Sequence, residues 1–323
     1  MVQDMKARGL SLLSGGLDSQ LAVKVLQNAG AYVEGVCFET PFFAVGAAKR
    51  AAEALGVKLH IVDFTEDECR LIENPPHGFG GAMNPCIDCH ATMIRRAGEM
   101  MAEMGFDFVA TGEVLNQRPM SQNRQSLGVV ERSSGLAGRL VRPLSAQLLE
   151  PTIPEQEGKL DRSRLLGLSG RRREPQFELA KKFGVVDYPS PAGGCKLTEE
   201  GFGRRLKDLL DHEGLRDRRL VDLLVIARRF RLPDGTGVIL GRDMRENAAL
   251  KEAGDVGALV YTVNCPGPTA LVPGNPGRES LEQVSSLVAA WAKYDRLQEP
   301  VRTNIGIVPP PYDRAAFLPH QIH

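Results

Sequence analysis

The sequence predicts an α/β chain: a parallel sheet with helices on both faces, followed by a second, smaller α+β domain. Three observations carry that expectation. From Gly9 to Ala110 short apolar runs alternate with segments of helical period, the pattern that builds a parallel sheet. The first run ends in a Gly-rich turn that opens a helix. Beyond residue 219 the rhythm changes to short runs around tight turns, as in antiparallel pairs.

Taken in order, Gly9 to Leu13 reads as a strand, and Leu17 to Ala29, with Leu17, Leu21 and Val25 on one face, as a helix. Tyr32 to Phe38 is the second strand, Val45 to Leu55 an Ala-rich helix, and Val57 to Phe64 the third strand before an acidic turn at Thr65 to Glu68. Ile87 to Met104 is a helix whose Met93, Ala97, Met100 and Met104 are expected to pack in the core, and Phe106 to Ala110 the next strand. Residues 1–160 are expected to form the first domain and 161–218 a basic connecting region carrying Cys195. In the third unit, 219–323, Leu220 to Ile226 and Gly237 to Leu240 flank the turn Leu232 to Thr236. Gly257 to Val263 and Thr269 to Val272 flank a Pro-Gly-Pro turn, and Ser280 to Tyr294 closes the unit as a helix. The Pro-rich tail after Pro300 is expected on the surface.

The 323 residues carry 40 Lys plus Arg against 40 Asp plus Glu, so zero formal charge gives no bulk attraction to nucleic acid. The distribution differs: between Arg162 and Arg231 basic residues outnumber acidic ones. No stretch reaches the about 18 apolar residues of a membrane span, and no leader pattern is visible. The expectation is a cytoplasmic protein without a membrane partner, and the six cysteines are expected as thiols.

Ser14-Gly15-Gly16-Leu17-Asp18-Ser19 follows the first strand and opens the first helix, where open α/β sheets bind phosphates. The two glycines let the backbone approach an anion, and the hydroxyls of Ser14 and Ser19 donate to it. The absence of a Gly-Lys-Ser/Thr run argues against γ-phosphoryl transfer. The hexapeptide resembles the signature of PP-loop ATP-pyrophosphatases, of adenine nucleotide alpha hydrolase-like fold. That resemblance implies ATP cleaved between its α and β phosphates, with Ser14, Gly15, Gly16, Asp18 and Ser19 binding it and Asp18 ordering the loop and Mg²⁺.

Cys86 and Cys89 form a Cys-x-x-Cys at a helix start, where the helix end favours thiolates, and Cys195 sits in Pro191-Ala-Gly-Gly-Cys195 with glycines that let the chain bend around a ligand. Three readings are open: a Zn²⁺ site, a redox or persulfide pair, and a 4Fe-4S cluster held by three cysteines with one iron free. Asp88, between the thiols, reads either as a distant ligand or as a helix-start acid. Cys37 and Cys69 are expected to pack, and Cys265 to lie apart.

Thr111-Gly112-Glu113, continuing to Gln117, Ser121 and Gln122 and followed by Arg142-Pro143-Leu144, resembles the tRNA 4-thiouridine synthetase (ThiI) family, in particular its short, cluster-dependent branch with a C-terminal module similar to the RNA-binding domain of NFACT proteins. The resemblance covers most of residues 8–195. It implies an ATP-dependent tRNA sulfurtransferase that thiolates a uridine, U8 being favoured. It assigns Asp18, Cys86, Cys89 and Cys195 to catalysis, the three cysteines to the cluster (Zn²⁺ being the alternative), Thr111 and Gly112 to ATP, and Gln117, Ser121 and Gln122 to substrate. The family's N-terminal THUMP region and C-terminal rhodanese-like domain are expected to be absent. Sulfur would then come from sulfide or a separate donor, and tRNA would dock on the basic segment and on Arg228, Arg229, Arg231 and Arg242. A homodimer is a further expectation. Two other readings remain at this point: an amide ligase of the same superfamily, and a non-catalytic ATP-responsive RNA-binding protein.

Overall fold

The computed structural model describes residues 7–190, 194–295 and 297–323. The chain divides into two compact units: residues 1–80 with 84–194, and 195–323 joined by the tripeptide Gly81 to Met83.

In the first unit the elements run β1 (Arg8–Leu12), α1 (Leu17–Asn28), β2 (Tyr32–Glu39), α2 (Gly46–Leu55), β3 (Leu59–Asp63), α3 (Thr65–Glu73), α4 (Cys86–Glu103), β4 (Phe108–Ala110), α5 (Arg124–Ser134), β5 (Leu140–Val141), α6 (Ile153–Gln156) and α7 (Glu174–Phe183). The five strands form one sheet in the order β3-β2-β1-β4-β5, and each pairing is parallel. The chain winds outward from β1 through β2 to β3, then crosses to β4 on the other side of β1. The direction of winding therefore reverses between β1 and β4, and the crevice at their carboxyl ends is where such sheets take ligands.

Two apolar layers sandwich this sheet. Leu21, Leu26, Phe108 and Val141 belong to one, and Leu10, Phe38, Ile94 and Val109 to the other. Of the expected core face of α4, Ala97 is buried and Met93, Met100 and Met104 pack against the second layer. The expected acidic turn at Thr65 is instead the first turn of α3, where Glu66, Asp67 and Glu68 complement the helix dipole.

The second unit contains α8 (Glu200–His212), α9 (Arg218–Ile226), β6 (Arg228–Arg231), β7 (Gly237–Leu240), α10 (Met244–Glu252), β8 (Gly257–Tyr261), β9 (Thr269–Pro273), α11 (Arg278–Ala290), β10 (Val301–Arg302), β11 (Ile307–Val308) and β12 (Gln321–Ile322). Its main sheet is antiparallel, in the order β12-β6-β7-β9-β8. Leu220 to Ile226, expected as a strand, is helical: Leu220, Val221, Leu223 and Leu224 are buried at helical spacing, and Asp217 caps the turn by accepting from the Arg219 amide. The true partner of β7 is β6. The tail lies mostly on the surface, as expected, but it is anchored there: Val301 and Val308 are buried, and β12 pairs with β6. Among the described residues no helix is long and apolar enough to cross a membrane.

Candidate nucleotide and thiol site

Ser14, Gly15 and Gly16 link β1 to α1. Gly15 has φ +83°, and a Cβ there would lie 2.4 Å from the Ala47 carbonyl carbon, so only glycine serves. Ser19 Oγ donates to the Gly16 carbonyl at 2.8 Å and lies 3.3 Å from Ser14 Oγ. The loop is thus internally braced, while α1 starts without a side-chain cap.

Thr111 and Gly112 follow β4 across the crevice, as the sequence leads one to expect. A Cβ on Gly112 would sit 2.6 Å from both the Asp18 carbonyl carbon and the Ser19 nitrogen. Gln117 reaches the same place, its Nε2 donating to Asp18 Oδ2 at 2.7 Å. Of the other two expected substrate residues, Gln122 closes the loop through its backbone, accepting from the Asn116 amide at 2.7 Å and donating to the Arg118 carbonyl at 2.8 Å. Ser121 is half-buried in that loop, with no contact that ties it to Asp18.

Sequence reasoning missed Arg173 and Gln176, at the start of α7. Arg173 Nη2 stands 3.5 Å from Asp18 Oδ1, and Gln176 Nε2 donates to Gln117 Oε1 at 2.8 Å. In this one network Asp18 Oδ1, Arg173 Nε and Gln176 Oε1 are buried without a hydrogen-bond partner. Three such orphans are costly unless an occupant satisfies them. A run of three arginines, Arg171 to Arg173, gave the sequence no means of singling out the third.

Cys86 and Cys89 occupy the first turn of α4, three residues apart and so on one face. Burial pushes the Cys86 thiol up, with Arg118 opposing and Glu68 reinforcing the rise. Burial thus works against the helix end, which favours the thiolate. Glu68 is fully buried, and neither of its oxygens has a geometrically sound hydrogen bond. Burial holds its carboxyl up at about 7, although the Cys89 thiol and His90 act in the other direction. A cationic centre on the two thiols would relieve both strains, so the pair fits a metal or cluster as part of a donor set. Among the described residues no group of three His, Cys, Asp or Glu converges as ligands. Cys195 opens the second unit, and the expected bend at Pro191 to Gly193 lies outside the described residues. Asp88 is not a ligand candidate: it accepts from the His77 amide at 2.9 Å and meets His77 Nδ1 at 2.6 Å. Cys37 and Cys69 are buried as expected.

Glu113 connects the two halves of the site. Its Oε1 lies 3.5 Å from His90 Nδ1, and its Oε2 accepts from Arg142 Nε at 2.9 Å and Thr111 Oγ1 at 3.0 Å. Burial works to raise its carboxyl, but Arg142 first and His90 second outweigh it and hold it down to about 2. Arg142 in turn reaches Glu131 and the Leu127 carbonyl.

A parallel sheet with a lysine-free Ser-Gly-Gly-Leu-Asp-Ser loop at its switch point defines a PP-loop α/β domain. Comparison with known families sharpens this: residues 4–147 match the family described as thiamine biosynthesis protein (ThiI), and residues 227–308 match the NFACT protein RNA binding domain. The chain thus carries one region similar to the ThiI family and, after it, one similar to the NFACT RNA-binding domain.

Two curated relatives illustrate the match. A tRNA-specific 2-thiouridylase MnmA of Sulfurimonas denitrificans is 32% identical over 123 residues, 34% of this chain and 36% of that protein. A probable tRNA sulfurtransferase of Caldanaerobacter subterraneus is 32% identical over 142 residues, 41% of this chain and 35% of that protein. This chain spans about a third of the length of these relatives. A solved 4-thiouridine synthetase–RNA complex with bound ATP is 21% identical, with a TM-score of 0.39 over 68% of this chain and 53% of that one.

Proposed function

We propose that the protein is an ATP-dependent tRNA sulfurtransferase that adenylates a uridine carbonyl and replaces its oxygen by sulfur, with U8 as the position. One observation carries the reading: neighbouring residues join the two chemistries, Gly112 resting on Asp18 and Ser19 of the phosphate loop and Glu113 facing His90 beside the Cys86–Cys89 turn. The matches to the ThiI family and to an RNA-binding domain support it.

In this scheme the uridine oxygen attacks the α-phosphorus of ATP and pyrophosphate leaves. The loop and the start of α1 take the phosphates, and Asp18 orders the loop and Mg²⁺. Arg173 supplies the cation that a Walker loop would draw from lysine. Sulfide then adds to the activated carbon and AMP departs with the former oxygen, so no oxidant or reductant is consumed. A cluster on Cys86, Cys89 and Cys195 would supply a site that keeps hydrosulfide deprotonated. Glu113, fixed by Arg142, holds the segment after β4 so that nucleotide and thiols stay in register.

Arg173→Ala is expected to weaken ATP binding about 10–100-fold, because a charge-assisted hydrogen bond contributes about 1.5–3 kcal/mol; calorimetric titration with Mg-ATP measures it, and an unchanged Kd rejects the assignment. For the reaction, unmodified tRNA would be incubated with anaerobically reconstituted protein, Mg-ATP and sulfide, and its nucleosides analysed by mass spectrometry. A thiouridine that requires ATP is expected, and it should vanish in Cys195→Ala while ATP binding persists. Intact ATP binding and bound iron without any thionucleoside would sink the thiolation reading.

A further inference from the structure

The two faces of β6 treat their arginines differently. Side chains alternate along a strand, so Arg229 and Arg231 share one face, and both are neutralised there by Asp208 and Glu213. Asp208 Oδ2 lies 2.8 Å from Arg229 Nε and 2.7 Å from Arg231 Nη2, while Glu213 Oε1 lies 3.0 Å from Arg231 Nη1. Arg229 is 0% exposed. These two arginines, expected from the sequence to dock nucleic acid, are structural.

The other face carries Arg228 beside Phe230, and both meet Trp291. The Arg228 guanidinium carbon lies 5.5 Å from the indole centroid, and Arg314 approaches the same ring at 5.6 Å. Arg228 Nη2 donates to the Gly241 carbonyl at 2.8 Å, and Arg242, the next residue, donates to the Ile226 carbonyl, two residues before Arg228. Arg205 of α8, stacked at 5.7 Å from Phe202, feels the Arg242 charge as well.

Counter-charge here comes from two carboxylates. Glu246 pairs with Arg242 at 2.7 Å and also acts on Arg228, and Glu199 acts on Arg205, but in both cases burial and the Arg242 charge outweigh them. The Nε atoms of Arg205 and Arg228 are buried without a hydrogen-bond partner. Burial first and the Arg242 charge second lower both groups, Arg228 to about 10. Half-buried like charges with idle donors are relieved by an anion that takes several forks at once.

We propose that Arg205, Arg228, Arg242 and Arg314 form a phosphodiester-binding site on the second unit, one that takes backbone phosphates of RNA. The choice of RNA rests on the sulfurtransferase reading above and on the RNA-binding family match, which spans Arg228, Arg242 and Trp291. The four guanidiniums come from separate elements, which suits a backbone with successive phosphates. Such contacts set register without reading bases.

The test uses the full chain and an unmodified tRNA transcript, with affinity measured by fluorescence anisotropy over a series of salt concentrations. Arg205→Gln is the primary variant, because Arg205 belongs to α8 and not to a strand of the sheet; Arg314→Gln is the second, and Arg205→Lys the control. Each lost phosphate contact should flatten the plot of log K against log salt by about 0.7–0.9. Affinity at low salt should fall about 3–10-fold for each Gln variant, with Arg205→Lys close to wild type and Mg-ATP affinity unchanged. Wild-type slopes in both Gln variants, with melting curves intact, would overturn the proposal. Tripolyphosphate separates the two sources of phosphate. If it binds the wild type and is lost in the variants while the tRNA slope stays the same, the site is one for small anions and the RNA assignment falls. Flattened slopes in a protein that makes no thiouridine would instead sink only the sulfurtransferase reading.

Discussion

Arg142→Met is expected to lower the unfolding free energy by about 3–5 kcal/mol at neutral pH, read as a drop in the urea midpoint. Methionine fills much of the same volume but leaves Glu113, which is 4% exposed, as a buried charge without its main partner. Acid titration supplies the diagnostic sign. In the wild type the carboxyl sits at about 2 instead of the ordinary 4.5. The stability it contributes is therefore complete above about pH 4.5 and is lost as pH falls toward about 2. In the variant only His90 and the Thr111 hydroxyl act against burial, so that contribution shrinks or reverses. The stability gap between the two proteins should widen from about pH 3 to about pH 6. A constant gap would mean that Arg142 acts through packing alone.

Gly112→Ala is the second large effect: ATP affinity should fall about 10–100-fold, from overpacking that costs about 1–3 kcal/mol. The new methyl would press on the Asp18 carbonyl and the Ser19 amide nitrogen, which are backbone atoms of the phosphate loop and cannot rotate aside. Gly56→Ala is the control. Gly56 has φ +63° at the end of α2 but open space around it, so alanine there costs folding stability without touching the loop. Equal losses of ATP affinity in both would show that Gly112 acts through general destabilisation.

Much of this architecture was legible in advance, and for identifiable reasons. The loop sits in a strand-turn-helix context that the hexapeptide and the flanking apolar periods both demand, and Gly112 rests against it. Leu220 to Ile226 misled because a short apolar run fits strand and helix alike; the Asp217 cap was the deciding signal. Its neighbour β6 was hidden by its composition, since three of its four residues are arginine. Asp208 and Glu213, which make that strand tolerable, lie far enough back in sequence that no local pattern announces them. Arg173 and Gln176 were illegible for a different reason: their role depends on meeting Asp18 and Gln117 across the crevice, a tertiary fact.

The tripeptide Gly81 to Met83 belongs with the second unit although the chain on both sides of it belongs to the first. Met83 is 7% exposed, and the Cβ of Ala82 would lie 3.0 Å from a methyl placed on Gly203. A gene cut after codon 194 would strand those three residues from the packing they complete, and a gene starting at 195 would lack them. Recombination that exchanges one module for a cousin's must therefore carry a splice in the middle of the other, so the pair is expected to be inherited as a single block.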